Sequence, residues 1–298
     1  MTKPPFVSIV IPTLNRPREL SACLHSLSRL VYPRDRFEAI VVDDGSQTSM
    51  EGVVAPYRSL LDLTLLLQHN AGPGAARNTG AKRAKGQYLA FTDDDCLPAR
   101  NWLETLAARF AADKVQAIGG RILNALHNNL YSMASQTLAD IVYAYFNSDS
   151  NHARFLSSNN FALPKDRFLA VGGFDINLTT SEDRELCDRW LQRGYTMIYA
   201  PEAVVYHYHL LTFRTFCLQH FNYGRGTFRF HEQRIHRHAG PFKLEPKFYL
   251  HMLSSPFSQP QSHTALLLAA LLMTSQGAKA AGFFWEMANR VAGKVNAI

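Results

Sequence analysis

Two runs of aspartates follow short apolar segments. Closely spaced carboxylates of this kind are candidate ligands of a metal ion. Asp43-Asp44 come directly after the apolar run 38–42, and Asp93-Asp94-Asp95 come directly after the run 88–92. Carboxylates held close together repel one another unless a cation neutralises them. Mg²⁺ and Mn²⁺ prefer oxygen ligands and are commonly held by carboxylates together with substrate phosphates and water. The runs therefore predict a divalent-cation site, and a solvated turn stays open as the alternative for the triplet.

The segments around these carboxylates alternate between strand and helix patterns. Apolar runs at residues 7–11, 38–42, 63–67 and 88–92 predict buried strands, and helical patterns at 17–31 and 74–85 lie between them. Strands that alternate with helices form a parallel sheet covered on both faces. Ligands of such sheets bind beyond the carboxyl ends of the strands, where both acidic runs lie. We therefore expect the two runs to converge at one edge of the sheet.

The second half of the sequence is less regular and predicts a mixed topology. Helices are predicted at 102–112, 133–146 and 182–193, with a strand at 115–118. From His207 onward the chain carries eight of its twelve histidines, interleaved with arginines and aromatic residues. This change of composition predicts an appended C-terminal segment.

Composition excludes several classes of protein. The chain has 298 residues, 47% hydrophobic and 18% charged, which is ample for a large core and rules out a disordered chain. Its net charge of +7 favours anionic partners. Four cysteines without a CxxC pair argue against a disulfide scaffold or structural zinc site and fit a reducing compartment. The first apolar run is too short for a signal peptide, so we expect no secretion, and the run 265–273 predicts a packed or surface-lying helix.

A glycine-rich loop precedes the helix predicted at 74–85. Gly72 and Gly74 would let the backbone approach a ligand closely, and the helix N-terminus would favour a phosphate group. The third glycine of a dinucleotide fingerprint is missing, which excludes a Rossmann dehydrogenase, and no GxxxxGK(S/T) motif occurs, which excludes a P-loop. His231-Glu232 is followed by Ile235 where a zinc peptidase needs histidine, so that class is excluded too.

Six segments together resemble the family 2 glycosyltransferases, whose fold is of the GT-A type. They occur in the family's order: Val7-Ser-Ile-Val-Ile-Pro-Thr-Leu-Asn15, Val42-Asp-Asp-Gly-Ser46, Gly74-Ala-Ala-Arg-Asn78, Phe91-Thr-Asp-Asp-Asp-Cys-Leu-Pro98, Gly172-Gly-Phe-Asp175 and Ser181-Glu-Asp183. The resemblance implies an α/β fold with a mostly parallel central sheet flanked by helices. A GT-A domain is expected at 1–215, with a Rossmann-like nucleotide half at 1–98 and a mixed acceptor half at 99–215, before a helical C-terminal extension at 216–298.

The resemblance also implies a nucleotide-sugar donor bound across the first half, with a UDP-sugar as the expected one. Asp44 would hydrogen-bond the base, and Arg77 would lie near the nucleotide and the diphosphate. The residues implied in donor binding are Pro12, Thr13, Asn15, Asp44, Arg77, Asp93 and Asp94.

The family's DXD motif supplies the implied ligands of a divalent cation, Mn²⁺ or Mg²⁺. Asp93 and Asp95 match its two acidic positions, and Asp94 is the variable middle residue. His207 is similar to a histidine that completes the metal shell in some relatives, and imidazole is an acceptable ligand for Mn²⁺. An ordinary hydrogen-bonded histidine at a strand end stays open as the alternative for His207.

Asp183 matches the aspartate of the family's ED motif, which implies that it is the general base of a single displacement with inversion. The alternative is an acidic residue that only favours the dipole of a first helical turn. The QxxRW motif of processive members is absent, which favours transfer of a single sugar over polymer synthesis.

Two further groups of residues are assigned to the acceptor side by the same resemblance. The residues expected to contact the acceptor are Asn160, Gly173, Phe174 and Glu182. Residues 223–229 are interpreted as a flexible flap in which Arg225 and Arg229 approach the diphosphate or an anionic lipid-linked acceptor. A buried Gly-Gly turn and a solvated basic face are the respective alternatives.

These observations predict a metal-dependent inverting glycosyltransferase that acts on a glycan, lipid-linked or small-molecule hydroxyl. It is expected in the cytoplasm or on the inner face of the membrane, and its C-terminal extension would contact anionic lipid, its own core or a second copy in a homodimer. Nucleic acid is not an expected partner, because the basic run 234–238 lacks a nucleic-acid-binding motif. A nucleotidyltransferase acting on sugar phosphates and a non-catalytic carbohydrate- or membrane-binding module remain the alternatives.

Overall fold

The computed structural model describes residues 3–112, 116–239, 248–250, 252 and 262–295, and in the last range it describes side chains from 265 to 290. Two compact units emerge. The first comprises Met1–Ala125, Asn147–Asn177 and Asp183–Tyr208, and the second comprises Leu126–Phe146, Leu178–Glu182 and His209–Ile298. Two segments that precede the predicted boundary at 215 thus group with the C-terminal residues.

A single sheet forms the centre of the first unit. Within the described residues it has eight strands: β1 Val7–Thr13, β2 Phe37–Asp43, β3 Leu63–Leu67, β4 Tyr88–Phe91, β5 Cys96–Pro98, β6 Ala117–Asn124, β7 Phe161–Pro164 and β8 Met197–His207. Their order is β3-β2-β1-β4-β7-β6-β8-β5. The first four are parallel, β6 and β8 are parallel, and β5 and β7 run antiparallel to their neighbours. The prediction of a mostly parallel sheet followed by a mixed half is confirmed. The strand predicted at 115–118 begins at Val115, outside the described residues, and β6 begins at Ala117.

Helices separate and follow these strands in the part of the chain that the structure describes. They are α1 Pro17–Leu27, α2 Glu51–Val54, α3 Pro73–Arg83, α4 Trp102–Ala112, α5 Leu130–Phe146, α6 Lys165–Ala170, α7 Glu182–Gln192, α8 Phe213–His236 and α9 Ser262–Val295. Pro17 and Pro73 open α1 and α3 at positions where a missing N–H costs nothing. Gly72 precedes α3 with φ 89°, a conformation that glycine adopts without strain.

Both faces of the sheet are covered, which explains why its first strands are apolar at most positions. Val7, Ile9 and Ile11 of β1 belong to a buried cluster with residues of α1 and α4. Val10 belongs to a second buried cluster with residues of α3 and α7. Successive side chains of a strand point to opposite faces, so strands covered by helices on both are apolar at most positions. The buried exceptions Ser8 and Glu38 satisfy each other, with Ser8 Oγ donating to Glu38 at 2.6 Å.

The second unit is helical, as predicted, but its longest helices were not foreseen. α8 begins at a capping box between Thr212 and Thr215 and continues for 24 residues. It packs against α9 and α5, with Phe216, Leu268 and Leu271 in their shared core. The prediction of a flexible flap at 223–229 is wrong, because these residues lie inside α8.

The last helix is also longer than the predicted segment 265–273. Among the described residues, one stretch is long and apolar enough to cross a membrane, Ala265–Arg290, with a mean hydropathy of 1.3 and 22% of its most apolar window buried. Length and composition alone do not separate a membrane helix from the core helix of a soluble protein.

Candidate active site

The carboxyl ends of three parallel strands bring the predicted residues to one edge of the sheet. Thr13, the last residue of β1, lies opposite Asp43, the last residue of β2. Val10 lies opposite Phe91 of β4, so the aspartate triplet that follows β4 leaves the sheet beside the end of β1. The backbone N–H of Asp44 donates to the carbonyl of Thr13 at 2.9 Å. The two acidic runs therefore lie at the same edge of the sheet.

The loop after β1 is held by the loop after β2. Pro12 is buried inside β1, whereas Asn15 is exposed and has a left-handed backbone with φ 57°. Its N–H donates to Ser46 Oγ, and its Oδ1 accepts from the N–H of Gln47, both at 2.8 Å. The backbone from Asn15 into α1 is fixed as a result.

Asp44 organises the loop that precedes α3. Its carboxylate is almost fully buried and accepts hydrogen bonds from Gln68 Nε2 and from the N–H groups of Ala71 and Gly72, at 2.7, 2.9 and 2.8 Å. Two of these bonds end on Oδ1 and one on Oδ2. A carboxylate oxygen accepts about two hydrogen bonds. Oδ2 therefore keeps room for one more donor beyond these contacts.

The first two aspartates of the triplet have different partners. Asp93 Oδ1 accepts from Arg77 Nη2 at 2.6 Å, and its side chain is 28% exposed. Asp94 is buried and accepts from Thr13 Oγ1 at 2.7 Å and from Arg16 Nη1 at 3.2 Å. Burial raises the pKa of Asp94 to about 7, with the Asp95 and Asp93 charges adding to the rise and Arg16 and Thr13 opposing it. Burial therefore disfavours the charged form of the middle residue.

Asp95 joins the triplet to the end of β8. Its Oδ2 accepts from Arg16 Nη1 at 2.8 Å, and its Oδ1 lies 3.3 Å from His207 Nε2. Burial on its own lowers the pKa of His207, but the hydrogen bond and charge of Asp95 outweigh it and the net pKa is raised. Cys96 Sγ completes a cluster in which one ligand atom from each of the three residues lies within 4.8 Å of the others.

The donor atoms of this cluster fit a hard divalent cation better than a soft one. Asp95 offers a carboxylate and His207 an imidazole, both of which Mn²⁺ accepts. Cys96 is fully buried, and burial raises the pKa of its thiol well above the ordinary value. Because only the thiolate is a good metal ligand, Cys96 disfavours a soft-metal site here.

Arg77 and Asn78 of α3 connect the triplet to the Gly172-Gly-Phe segment. Arg77 is buried, and its Cζ lies 5.5 Å from the centre of the Phe174 ring. Asn78 Nδ2 donates to the carbonyl of Phe174, and Asn78 Oδ1 accepts from the N–H of Phe174, both at 2.8 Å. A Cβ at Gly173, whose φ is 71°, would stand 2.5 Å from Asn78 Oδ1. Two distant motifs of the sequence are therefore parts of one contact.

Asp183 lies within electrostatic reach of the same residues. Backbone N–H groups of Arg184 and Ser158 donate to its carboxylate, the first at 2.7 Å. Burial raises the pKa of Asp183, the charge of Arg77 opposes the rise, and the charge of Asp93 adds to it. Desolvation of this kind produces a carboxylate able to take up a proton.

The family assignment rests on more than half of the chain. A family model described as Glycosyl transferase family 2 matches residues 8–174. The chain belongs to glycosyl transferase family 2. It is therefore an enzyme that transfers a sugar, and the match runs from β1 through β7 and includes the aspartate triplet, Arg77 and Asn78.

Similar curated proteins are glycosyltransferases as well. This family 2 glycosyltransferase is 27% identical over 205 residues to glycosyltransferase AglE of Haloferax volcanii. The aligned region covers 68% of the chain and 67% of AglE. It is 30% identical over 233 residues to the pre-mycofactocin glycosyltransferase of Mycobacterium tuberculosis, and the aligned region covers 73% of the chain. The chain spans 46% of the length of that second relative.

Solved structures confirm the GT-A type fold of this family 2 glycosyltransferase. The mannosyltransferase PcManGT from Pyrobaculum calidifontis, solved in complex with GDP-Man and Mn²⁺, superposes with a TM-score of 0.62 at 21% identity, covering 96% of this chain and 84% of that one. TarS 1–349 from S. aureus, solved with UDP-GlcNAc, gives a TM-score of 0.57 at 18% identity, covering 96% and 92%.

Asn160 and Phe174, which the resemblance assigns to the acceptor, lie in the framework of the glycosyltransferase. Asn160 is fully buried, its Nδ2 donates to the carbonyls of Arg121 and Ala203, and its Oδ1 accepts from Trp102 Nε1. Phe174 is 2% exposed. Burial of this degree disagrees with direct acceptor contact, so we withdraw both assignments. Gly173 is buried as well, where its lack of a side chain admits Asn78.

The remaining acceptor-side predictions fall in the second unit. Glu182 is buried at the start of α7. Arg225 and Arg229 lie in α8, where their Nε atoms donate to the two carboxylate oxygens of Glu286 at 2.8 and 2.7 Å. Arg225 also stacks over the ring of Trp285. The two arginines hold α8 and α9 together, which corrects their assignment to a mobile flap.

Arg16 and Asn78 are site residues that the sequence alone did not reveal. Arg16 directly precedes α1, where a positive charge opposes the helix dipole. This unfavourable position of Arg16 could have indicated its role, because a cation at the positive end of a helix is stabilised by nearby anions. Asn78 ends one of the six family motifs, but nothing in that motif indicated its partner, since Phe174 is 96 positions away.

Proposed function

We propose that this family 2 glycosyltransferase moves one sugar from a nucleotide-diphosphate sugar to an acceptor hydroxyl with inversion at the anomeric carbon. The observation that carries the proposal is the gathering of Asp93, Arg77 and Asp183 around the carboxyl edge of the sheet. An acidic group that suits a cation and a separate desolvated carboxylate that suits a base are the two parts such a displacement needs.

The donor is proposed to bind across the ends of β1, β2 and β4. Asp44 Oδ2 keeps room for an N–H donor, which suits the imide of a uracil or the N–H groups of a guanine. Thr13 and Asn15 line the adjacent loop, and the N–H groups that begin α3 favour phosphate. GDP-Man and UDP-GlcNAc occur in the two structural neighbours, and the expectation of a UDP-sugar remains a prediction.

Asp95 and His207 are proposed to hold a divalent cation, with Asp93 beside them. Such a cation would neutralise the charge that develops on the departing nucleoside diphosphate. Arg77, buried against Asp93, keeps that carboxylate in place. Asp95 is oriented by Arg16 and His207, and Asp94 by Thr13 and Arg16. The chain thus positions its acidic residues with its own hydrogen bonds.

Asp183 is proposed to be the general base. Its carboxylate accepts the proton of the acceptor hydroxyl while the oxygen attacks the anomeric carbon, and the bond to the nucleoside diphosphate breaks on the opposite face. The proton ends on Asp183, and the electron pair of the broken bond leaves with the diphosphate. One base is sufficient for this single displacement.

The second unit is proposed to lie against the cytoplasmic face of a membrane. Apolar side chains of α9 are exposed, among them Leu266 at 71%, Leu267 at 54% and Phe284 at 59%. Exposed apolar side chains on one long helix favour an interfacial position. A lipid-linked acceptor would be presented at such a surface.

Vesicle sedimentation tests the membrane proposal. The pure protein should sediment with vesicles containing anionic phosphatidylglycerol, and Phe284→Ser should weaken this binding. Leu67→Ser, which removes an exposed apolar side chain from the first unit, is the control and should bind as the wild type does. Wild-type protein that stays in the supernatant would contradict the proposal.

A donor screen tests the catalytic proposal. Nucleotide sugars are incubated with the protein, Mn²⁺ and a panel of acceptors, and the released nucleotide is analysed. Release of nucleoside diphosphate with a product of inverted anomeric configuration is expected. Release of pyrophosphate would instead identify a nucleotidyltransferase, and retained configuration would exclude the single displacement.

A further inference from the structure

Arg16 contacts two members of the aspartate triplet with a single nitrogen. Its Nη1 lies 3.2 Å from Asp94 Oδ1 and 2.8 Å from Asp95 Oδ2. The two carboxylates are buried, whereas the Arg16 side chain is 49% exposed. A cation that bridges two buried carboxylates from the solvent side compensates for their desolvation. Arg16 is therefore the solvent-facing counter-charge of the triplet.

Arg16 and Arg77 differ in how easily their side chains can move away from the aspartates. Arg77, the partner of Asp93, has a side chain that is 4% exposed and packed against the Phe174 ring. The backbone of Arg16 is fixed by the neighbouring Asn15 contacts and by its carbonyl, which accepts from the N–H of Leu20. Only the half-exposed side chain of Arg16 can turn away at low cost.

Asp95 is the point at which Arg16 meets the candidate cation site. One oxygen of this carboxylate faces Arg16 Nη1, and the other faces His207 Nε2. A divalent cation held by Asp95 and His207 would share the carboxylate with a guanidinium, and two cations on one carboxylate repel each other. Occupancy of the site and the Arg16–Asp95 contact therefore oppose each other.

We propose that Arg16 is a counter-cation that neutralises Asp94 and Asp95 until a divalent cation and the diphosphate of the donor replace it. This inference rests on the proposed divalent-cation site. The anionic diphosphate draws the guanidinium away from the carboxylates, which frees Asp95 for the cation. Nucleotide and cation consequently bind cooperatively, and by thermodynamic linkage each strengthens the other by the same factor.

Mn²⁺ binding without turnover tests this role of Arg16. Free Mn²⁺ is measured by electron paramagnetic resonance for the wild type, Arg16→Gln, Arg16→Lys and Arg18→Gln. Arg16→Gln should bind Mn²⁺ about three- to tenfold more tightly in the absence of nucleotide, the factor expected for an ion pair of this exposure. Arg16→Lys should fall between Arg16→Gln and the wild type. Arg18→Gln removes the same charge from an exposed position of α1 and should match the wild type within about twofold.

The same titration with saturating UDP or GDP measures the cooperativity. The nucleotide should tighten Mn²⁺ binding by a smaller factor in Arg16→Gln than in the wild type, because release of Arg16 no longer contributes. Circular dichroism shows that each variant is folded, and added Mn²⁺ should raise the thermal midpoint of Arg16→Gln more than that of the wild type.

Asp95→Asn separates failure of this inference from failure of the cation site. If Asp95→Asn loses Mn²⁺ binding but Arg16→Gln binds Mn²⁺ no more tightly than the wild type, the role of Arg16 is wrong and the site stands. If neither the wild type nor Arg16→Gln binds Mn²⁺, or Asp95→Asn binds it normally, both are overturned.

Discussion

At the scale of single residues, three adjacent aspartates have three different environments. Asp93 pairs with a buried arginine, Asp94 is buried against Thr13, and Asp95 lies between Arg16 and His207. Burial raises the pKa of Asp94 to about 7, so an ionised middle residue depends on its cationic neighbour. The variable middle position of the motif is thus occupied by a buried carboxylate that Thr13 and Arg16 hold in place.

Replacement of Asp183 tests the base directly. Asp183→Asn should lower kcat by about 10²–10⁴-fold with little change in donor affinity, because a positioned proton acceptor contributes that much. Asp188→Asn on the same helix removes a carboxylate that pairs with Gln192 and should retain activity. Initial rates and donor titrations of the two variants decide the matter. Wild-type turnover by Asp183→Asn would refute the assignment.

The charge of Arg77 should appear in the pH dependence of the rate. Burial raises the pKa of Asp183 and Arg77 opposes that rise. The base works when deprotonated, so activity is lost as pH falls through this raised pKa. Arg77→Gln removes the opposing charge and should move the acidic limb of kcat/KM to higher pH. An unchanged limb would show that Arg77 does not act on the base.

At the scale of secondary-structure elements, glycines set the approach of α8 to α9. A Cβ at Gly224 would stand 1.9 Å from the carbonyl oxygen of Lys279, and one at Gly282 would stand 1.9 Å from that of Phe221. Such positions admit no side chain without a shift of the backbone. The helices can therefore bring Arg225 and Arg229 onto Glu286 only while these glycines are present.

Two alanine substitutions in α9 should have opposite effects on stability. Gly282→Ala should lower the free energy of unfolding by roughly 1–3 kcal/mol, because the added methyl group collides with Phe221. Gly277→Ala, where a Cβ meets nothing within 4 Å, should raise it by up to about 1 kcal/mol through helix propensity. Chemical denaturation measures both. Equal effects would contradict the close approach of these helices.

At the scale of the whole molecule, the catalytic candidates and the exposed apolar side chains of α9 belong to different units. The first unit carries the catalytic candidates at the ends of its parallel strands. The second unit contains a buried histidine, His220, whose two ring nitrogens have no hydrogen-bond partner among the described residues. Its ring packs between those of Phe216 and Tyr223.

His220 should make folding sensitive to acid. Burial, with smaller contributions from Lys279 and His209, lowers its pKa to about 4, whereas an unfolded histidine titrates near pH 6.5. The unfolded chain binds more protons between these values, so stability is complete above pH ~6.5 and falls by up to about 3 kcal/mol as pH drops toward 4. His220→Phe should reduce this loss in pH-dependent denaturation, and exposed His25→Gln should not. An equal acid loss in His220→Phe would contradict the assignment.

Patterns within short stretches of the sequence predicted much of the fold. The continuous apolar runs predicted buried parallel strands because only a sheet covered on both faces needs apolar residues at every position. Asp44 and the aspartate triplet followed two of these runs, which sufficed to predict that they meet at one edge. The six family motifs supplied the enzyme class and the GT-A fold, which the match over residues 8–174 and the superposed structures confirm.

Only the tertiary structure decided which side chains are buried in the framework and which are available to a ligand. Asn160 and Phe174 carry polar and aromatic groups suited to sugars, yet their partners come from strands and helices far along the chain and leave both buried. The glycines of residues 223–229 favoured a flexible segment, although the segment is helix, where Gly224 admits α9 and Gly226 admits Thr180. Arg16 meets Asp94 and Asp95 only after β1 and β4 pair. Burial and long-range pairing are properties of the folded arrangement, so no local pattern of residues could have specified them.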